Sequence, residues 1–192
     1  MGRAKVPHDV RPEIHGAAHV VLRIRRGLPS LRTPRAYRVL ERAIRRGKRK
    51  DGFAVTEFSV QRDHLHLIVE TRGRRKLSRG MQGLMIGIAK NLNSFWNGRK
   101  GSVFADRYFA LAITKYSQLW RTVRYVLLNG KRHGTWNSKE QPDPFSSGRW
   151  YRHWISAENV HRPLRSPPVE RAETYAVFRA IGLHETTGPQ FA

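Results

Sequence analysis

Apolar and polar residues alternate along several short stretches of the chain, and this alternation predicts β-strands. In the first stretch Val20, Leu22 and Ile24 share one face, as expected for a half-buried strand. Residues 61–63 separate the second stretch from the third and predict a hairpin turn. The predicted strands cover residues 19–25, 53–60, 64–70 and 108–113.

Apolar residues spaced three to four positions apart predict three helices. Thr33-Pro34 begins the first helix as a cap followed by proline at the first helical position. Asn97-Gly98 ends the second, because glycine readily adopts the left-handed closing conformation. Thr114 is the expected cap of the third. The predicted helices cover residues 34–47, 77–97 and 115–128.

The order strand, helix, hairpin, helix, strand predicts an α+β fold of the ferredoxin-like sandwich type. In that fold two helices cover one face of an antiparallel sheet and leave the other face open. We expect an N-terminal arm at residues 1–14, a folded domain at 15–134 and a C-terminal extension at 135–192. The extension is rich in Pro, Ser and Trp and contains one predicted short helix near residues 173–181.

Two histidines in the third strand are the first candidates for chemistry. His64 and His66 point to the same face and project from points about 7 Å apart, close enough to converge on one metal ion or phosphate. Glu70 shares that face and is a rival ligand, while His19 is expected on the same open face as a structural residue or a phosphate contact. Solvent-exposed strand histidines are the alternative interpretation.

The third helix carries a candidate nucleophile. Its apolar stripe includes Val123 and Val126, and Tyr125 falls nearly opposite that stripe, on one line with Arg121 and Asn129. We expect Tyr125 to lie over the open sheet face, although it could be simply an aromatic residue resting on the sheet.

That position would bring Asn129 together with His64 and His66 around one ion, with Tyr125 beside it. Imidazole and amide ligands suit Mg²⁺ or Mn²⁺. A free tyrosine has a pKa of about 10 and needs a cation or a polarised phosphate to react at neutral pH. Arg121 is the candidate for this assistance.

The charge of the chain predicts a polyanionic partner. The formal net charge is +23, and residues 1–134 hold 30 Lys and Arg against 8 Asp and Glu, whereas the remainder is nearly neutral. Nucleic acid fits this distribution better than a membrane surface, because no helix combines a basic face with a broad apolar one. The residues expected to contact nucleic acid are Arg23, Arg25, Arg45, Arg46, Lys48, Arg49, Arg74, Arg75, Lys76 and Arg79.

Two further features of the composition narrow the class of protein. The chain has no cysteine, so disulfides and thiolate metal sites are excluded, and no stretch approaches the length of a membrane span. We therefore expect a cytoplasmic, nucleoid-associated bacterial protein. Trp136, Trp150 and Trp154 could stack on unpaired bases or anchor the extension to the domain.

Three segments together resemble a known family. They are His64-Leu65-His66, the run from Gly101 to Tyr108, and the run from Arg124 to Asn129. Over about residues 15–134 the chain resembles the HUH single-strand endonucleases, specifically the single-tyrosine transposases of the REP-associated type. Many relatives have Asn-Pro where this chain has Asn129-Gly130, and glycine can end the helix as well.

The resemblance implies a nuclease that cuts single-stranded DNA near a hairpin. Tyr125 would form a 5′-phosphotyrosine and free a 3′-hydroxyl, with His64, His66 and Asn129 holding Mg²⁺ or Mn²⁺. Both a homodimer and a monomer agree with the resemblance. The main alternative is a non-catalytic module that binds nucleic acid on the open sheet face, and a more distant one is a metal hydrolase that uses Glu70.

Overall fold

One antiparallel sheet of five strands organises the computed structural model, which describes residues 13–138, 141–151 and 163–172. The strand order across the sheet is β2-β3-β4-β1-β5. Without the two-residue β2, this is the order of a ferredoxin-like sheet, so the predicted α+β class and element order are confirmed. The strands are β1 (His15–Arg23), β2 (Arg49–Lys50), β3 (Phe53–Val60), β4 (His64–Arg72) and β5 (Phe109–Ala112).

Two helices cover one face of the sheet and enclose the larger hydrophobic core. This core joins Val20 and Leu22 of β1 to Leu65 and Leu67 of β4, all at most 1% exposed, under the apolar faces of both helices. The predicted cap of the first helix is confirmed, because the Thr33 hydroxyl accepts a hydrogen bond from the Ala36 N–H at 3.2 Å. The helices are α1 (Pro34–Gly47), α2 (Arg74–Phe95), α3 (Tyr116–Leu127) and the short α4 (Asn129–Arg132).

The register of the sheet decides which side chains share the second face. His66 of β4 pairs with Ser59 of β3 and with Val21 of β1, and Val21 pairs in turn with Phe109 of β5. Paired residues point to the same side of a sheet, so these four form one row across the face opposite α1 and α2. A second row contains Ile68, His19 and Leu111.

The third helix packs on this second face, as predicted, but its orientation differs from the prediction. Its buried residues Val123 and Val126 form a small core with Ile68 of β4 and Ala17 of β1, and Tyr125 packs partly against the same core. The expectation that Tyr125 lies over this open face is confirmed, because its ring contacts those of His19 and His66, but the ring is not turned away from the apolar stripe of its helix. It lies at the margin of that stripe, because α3 buries its apolar side against the very face that carries the histidines.

Several ends of strands and helices differ from the predicted ones. The strand β1 begins at His15 and ends at Arg23, so Arg25 lies beyond it. Thr114 is not the cap of α3: Lys115 occupies that position, and the Thr114 N–H donates to the Gln118 side chain at 3.0 Å. The chain turns again after α3, since α4 follows with only Leu128 between them.

A buried ion pair ties the segment at residues 141–151 to the domain. The Arg32 guanidinium donates to both oxygens of the Asp143 carboxylate, at 2.9 and 2.8 Å. This pair also explains Gly130, because a Cβ there would come within 2.2 Å of Asp143 Oδ2. The predicted helix at residues 173–181, residues 1–12 of the predicted arm and Trp154 lie outside the described residues.

Candidate active site

Three imidazoles form a chain of close contacts on the second face of the sheet. His19 Nε2 lies 3.0 Å from His66 Nδ1, and His66 Nε2 lies 3.1 Å from His64 Nε2. At the end of this chain, His64 Nδ1 lies 2.6 Å from the Asp63 carboxylate. Asp63 thereby orients His64 with Nε2 towards His66, as outer-shell carboxylates orient metal-binding histidines.

The convergence of the two Nε2 atoms matches the spacing that one ion requires. Two ligands at right angles on an octahedral ion, each about 2.1 Å from it, are about 3 Å apart, and His64 and His66 Nε2 are 3.1 Å apart. His19 faces the opposite ring nitrogen of His66 and does not share that point. In the described part of the chain, no three His, Asp or Glu side chains are arranged to hold a metal ion.

The electrostatics favour the neutral form of two of these imidazoles, those of His66 and His19. Burial lowers the pKa of His66 to about 3, and the neighbouring His64 adds to the effect. Burial also lowers the pKa of His19. The hydrogen bond from His64 holds the pKa of Asp63 below its usual range. Because only the neutral form of histidine binds a metal ion, His66 is in the competent form at neutral pH.

Tyr125 completes the cluster from α3. The centre of its ring lies 5.2 Å from that of His66 and 5.8 Å from that of His19, in an edge-on arrangement in both cases. The Arg132 guanidinium lies over the same ring, 5.2 Å from its centre. Tyr125 is half-buried, so the ring is held on the sheet while part of it remains accessible.

Asn129 is fully buried, and neither polar atom of its side chain has a hydrogen-bond partner in the part of the chain that the structure describes. An unsatisfied buried amide costs free energy, about 1–3 kcal/mol for a group of this kind. Asn129 also follows Tyr125 by four residues and precedes His133 by four, and the His133 ring lies 5.9 Å from that of His64. The residues four positions before and after Asn129 thus touch the imidazole cluster, whereas the Asn129 side chain itself makes no hydrogen bond to an imidazole of the described residues.

Two predicted residues are not brought to the cluster. Arg121 is exposed, and its guanidinium donates to the backbone carbonyl of Ser117 in its own helix at 3.2 Å. Glu70 shares the face of His66 but stands four residues further along β4, which is about 13 Å at the rise of a strand.

Arg132 and His133 are the residues that sequence reasoning missed. They lie beyond the end of α3, at the last residue and the C-cap of α4. The predicted helix ends at residue 128, so no predicted element brought these two residues to the sheet. The chain instead continues into α4, where the His133 N–H donates to the Asn129 carbonyl at 3.1 Å.

Five of the ten residues expected to contact nucleic acid form ion pairs within the described chain. Lys48 and Arg49 both pair with Glu170 of the C-terminal extension, at 3.0 and 3.5 Å. Arg45 pairs with Glu41 and also donates to backbone carbonyls of the extension. The remaining two pairs are Arg23 with Asp63 at 3.9 Å and Lys76 with Asp51.

The other five are exposed, and most of them lie far from the imidazoles. His64 begins β4 and Arg72 ends it, and a strand of this length spans about 26 Å. The start of α2, two residues after Arg72, is therefore at the opposite end of the sheet. The exposed residues of the predicted set are Arg25, Arg46, Arg74, Arg75 and Arg79.

The chain matches the model of a known protein family. The family described as "Transposase IS200 like" matches residues 15–128, which contain the whole sheet and the helix of Tyr125. The chain therefore belongs to the IS200-like transposase family, a family of DNA-cleaving enzymes. No curated protein matches the sequence. No helix of the described residues is long and apolar enough to cross a membrane.

Two solved structures are similar to this one. A REP-associated tyrosine transposase bound to a REP hairpin has a TM-score of 0.57 and 22% identity, over 77% of this chain and 82% of the other. A candidate transposase from Deinococcus radiodurans has a TM-score of 0.42 and 12% identity, over 70% of this chain and all of the other. The similarity to the REP-associated tyrosine transposase shows that the two chains share a fold.

Proposed function

We propose that this transposase is a metal-dependent endonuclease and strand transferase that acts on single-stranded DNA beside a hairpin. Tyr125 is the nucleophile, and His64, His66 and Asn129 hold Mg²⁺ or Mn²⁺. The observation that carries the proposal is the contact between the Tyr125 ring and His66, 5.2 Å between ring centres, within a cluster of three imidazoles. A purely structural tyrosine would not require a row of imidazoles that face each other through their ring nitrogens.

The proposed reaction exchanges one phosphodiester for another. The Tyr125 phenol oxygen attacks phosphorus, the bond from phosphorus to the 3′-oxygen breaks, and the DNA is joined to the protein through its 5′-phosphate. The phenol loses a proton and the departing 3′-oxygen gains one, so the products are a phosphotyrosine and a free 3′-hydroxyl. Attack of a 3′-hydroxyl on the phosphotyrosine reverses the step and needs no external energy source, which is how a strand transferase rejoins DNA.

The donor atoms of the chain fit the proposed metal. The Nε2 atoms of His64 and His66 converge, and among the described residues the oxygen of the buried Asn129 amide has no hydrogen-bond partner. A bound Mg²⁺ or Mn²⁺ would polarise the phosphate and stabilise the charge that develops on its oxygens. Asp63 orients His64, and His19 faces the second ring nitrogen of His66, so both ligands are held in place by neighbours.

The exposed arginines support a DNA partner. Arg74, Arg75 and Arg79 lie together at the start of α2, and no acidic residue stands in its first turn. Although the Glu13 carboxylate accepts a hydrogen bond from the Arg74 N–H at 2.8 Å, the three exposed guanidinium groups form a dense cationic surface that suits phosphates. We infer that this end of the protein contacts the phosphates of the duplex stem, while the single strand enters at the imidazole end, about 26 Å away along β4.

The covalent intermediate provides the test. A pool of hairpin oligonucleotides with randomised single-stranded flanks is incubated with protein and Mn²⁺, and the products are separated on a denaturing gel. The 3′-labelled strand should migrate with the protein, and the 5′-labelled fragment should be extended by a DNA polymerase from its new 3′-hydroxyl. Chelation of the metal should abolish both products.

Two tyrosine variants on the same helix give the matched comparison. Tyr125→Phe should form no adduct, whereas Tyr116→Phe, nine residues earlier, should form it normally. Cleavage without any protein–DNA bond would support the metal-hydrolase alternative and overturn the role of Tyr125. Tight, salt-sensitive binding without cleavage, and indifferent to metal, would support the non-catalytic module.

A further inference from the structure

Two large apolar side chains are exposed on the edge strand of the sheet. Phe109 and Leu111 of β5 are 59% and 51% exposed, whereas Ala110 and Ala112 of the same strand pack against the main core. β5 is the last strand of the sheet order, with β1 as its neighbour. The strand thus turns its small residues inward and its large ones outward, the reverse of what a stabilising edge strand requires.

The register places both side chains beside the candidate active site. Leu111 pairs directly with His19, and Phe109 pairs with Val21, whose other partner is His66. Directly paired side chains lie about 5 Å apart, and two strand spacings amount to about 10 Å. Phe109 and Leu111 therefore extend the face of His19 and His66 outwards to the edge, beyond the part that α3 covers.

We propose that Phe109 and Leu111 form a binding subsite for an unpaired base of the DNA strand that is cut at Tyr125. This inference rests on the proposed function, since it identifies where the substrate lies beside the nucleophile. In a nucleotide the base extends from its phosphate by several ångströms, so a phosphate at the imidazoles places a neighbouring base over β5. Stacking on an aromatic ring tolerates any base and is a common way to hold single-stranded DNA.

The charge of the chain favours DNA over a second copy as the occupant of this surface. Each copy carries a formal net charge of +23, so two copies repel each other, whereas a DNA strand supplies the opposite charge. Two other aromatic candidates for stacking are already engaged. The indole N–H groups of Trp136 and Trp150 donate to the carbonyls of Gln141 and Arg165, at 2.9 and 3.2 Å.

The test separates stacking from phosphate contact. All proteins carry Tyr125→Phe, so that binding is measured without any covalent step, and the probes are a strand of twelve deoxythymidines and a strand of twelve abasic sites. The two probes have the same number of phosphates and differ only in their bases. The ratio of their dissociation constants at one salt concentration, from fluorescence anisotropy, measures the contribution of the bases.

We expect Phe109→Ala to weaken binding of the thymidine strand by roughly tenfold and to leave binding of the abasic strand unchanged. Leu111→Ala should have a smaller effect of the same kind, and Phe109→Trp should restore the preference. Ile86→Ala is the matched control, because Ile86 is similarly exposed, at 48%, on α2 beyond the other face of the sheet. A strand with 5-iododeoxyuridine should crosslink on irradiation to the peptide that contains Phe109.

An unchanged base preference in Phe109→Ala would overturn the proposal, and so would equal losses for both probes. A wild-type dimer in sedimentation that Phe109→Ala dissociates would assign the surface to a second copy and overturn it too. These outcomes are independent of the proposed nuclease activity, because the equilibrium measurement uses protein without the nucleophile. Failure of adduct formation in the wild type would leave the binding result standing and remove only the catalytic step.

Discussion

The two faces of this sheet are made from the same strands and differ in almost every physical respect. On the face covered by α1 and α2, Val20, Leu65 and Leu67 are completely buried among aliphatic neighbours. On the other face His66 and Glu57 are buried beneath or beside α3, which covers only part of the surface. Strand alternation alone generates both faces.

This difference shows that one face of the sheet serves the stability of the fold and the other face carries the candidate chemistry. The first face provides most of the apolar burial that holds the domain together. The second face and the helices on it hold buried polar groups that are costly to desolvate. Within the described residues these include Asn129, whose amide has no hydrogen-bond partner, and Glu57, whose carboxyl group accepts a hydrogen bond from the Ser147 hydroxyl. Such costs are typical of a face selected for a reaction rather than for folding.

Adjacent residues of β4 offer the strongest test of this contrast. Leu67→Ala should destabilise the fold by about 2–5 kcal/mol, because it leaves a cavity in the closed core. His66→Asn should cost less than half as much and yet abolish adduct formation. Urea unfolding followed by circular dichroism measures the first effect, and the denaturing gel measures the second. Equal losses of stability in both variants would contradict the separation of the two faces.

The free energy of unfolding should depend on pH because of one buried carboxyl on the second face, that of Glu57. Burial raises the pKa of Glu57 to about 8, although the Ser147 hydroxyl opposes the shift. The unfolded chain loses this proton near pH 4.5 and the folded chain keeps it, so this contribution to stability falls as pH rises from about 4.5 to 8.

Glu57→Gln should therefore be more stable than the wild type at pH 7, by up to about 3 kcal/mol. At pH 4 the two proteins should be equally stable, because the carboxyl is then protonated in both states. Urea titrations at the two pH values measure the difference between the proteins, which cancels the titration of every other group. A Gln variant that is less stable at pH 7 would show that ionised Glu57 is accommodated in the fold.

Asn129 should reveal a conflict between stability and binding. Asn129→Leu removes an unsatisfied buried amide and should raise the stability of the metal-free protein by about 1–3 kcal/mol. Addition of Mn²⁺ should stabilise the wild type and leave this variant unaffected, as seen in the thermal unfolding midpoint. If Mn²⁺ stabilises both proteins alike, Asn129 is not a ligand.

The smallest effect concerns the arginines at the far end of the sheet. The double variant Arg74→Gln, Arg75→Gln should lower the slope of log affinity against log salt by about 1–2, because exposed arginines release counterions on binding. The matched variant Arg45→Gln, Lys48→Gln should change the slope less, since both cations already contact the extension. A larger change in the second variant would place the DNA over the extension.

The local sequence pattern was enough to predict most helices and strands and one part of the candidate site. The strand at Phe53–Val60 and the helix at Pro34–Gly47 have the predicted bounds, because alternation, a threonine cap and proline act within a few residues. The common face of His64 and His66 was predictable for the same reason, since it follows from the two-residue period of a strand.

Long-range packing determined the rest. A shared stripe along α3 says nothing about distance along its axis, and so Arg121, one turn before Tyr125, was grouped with the histidines although the structure leaves it exposed. The pairing of His19 beside His66 and of Leu111 beside His19 depends on strand register across the sheet. The ion pair between Lys48 and Glu170 joins residues that are 122 positions apart, so no local sequence pattern predicts it.

Identification of the residue that carries the DNA is the most direct test of the proposed chemistry. The trapped adduct is digested with nuclease and protease, and tandem mass spectrometry locates the remaining nucleotide on the peptide. We expect the phosphodiester link on Tyr125 and nowhere else. A link on Tyr108 or on any other residue would contradict the proposal that the tyrosine beside His66 is the nucleophile.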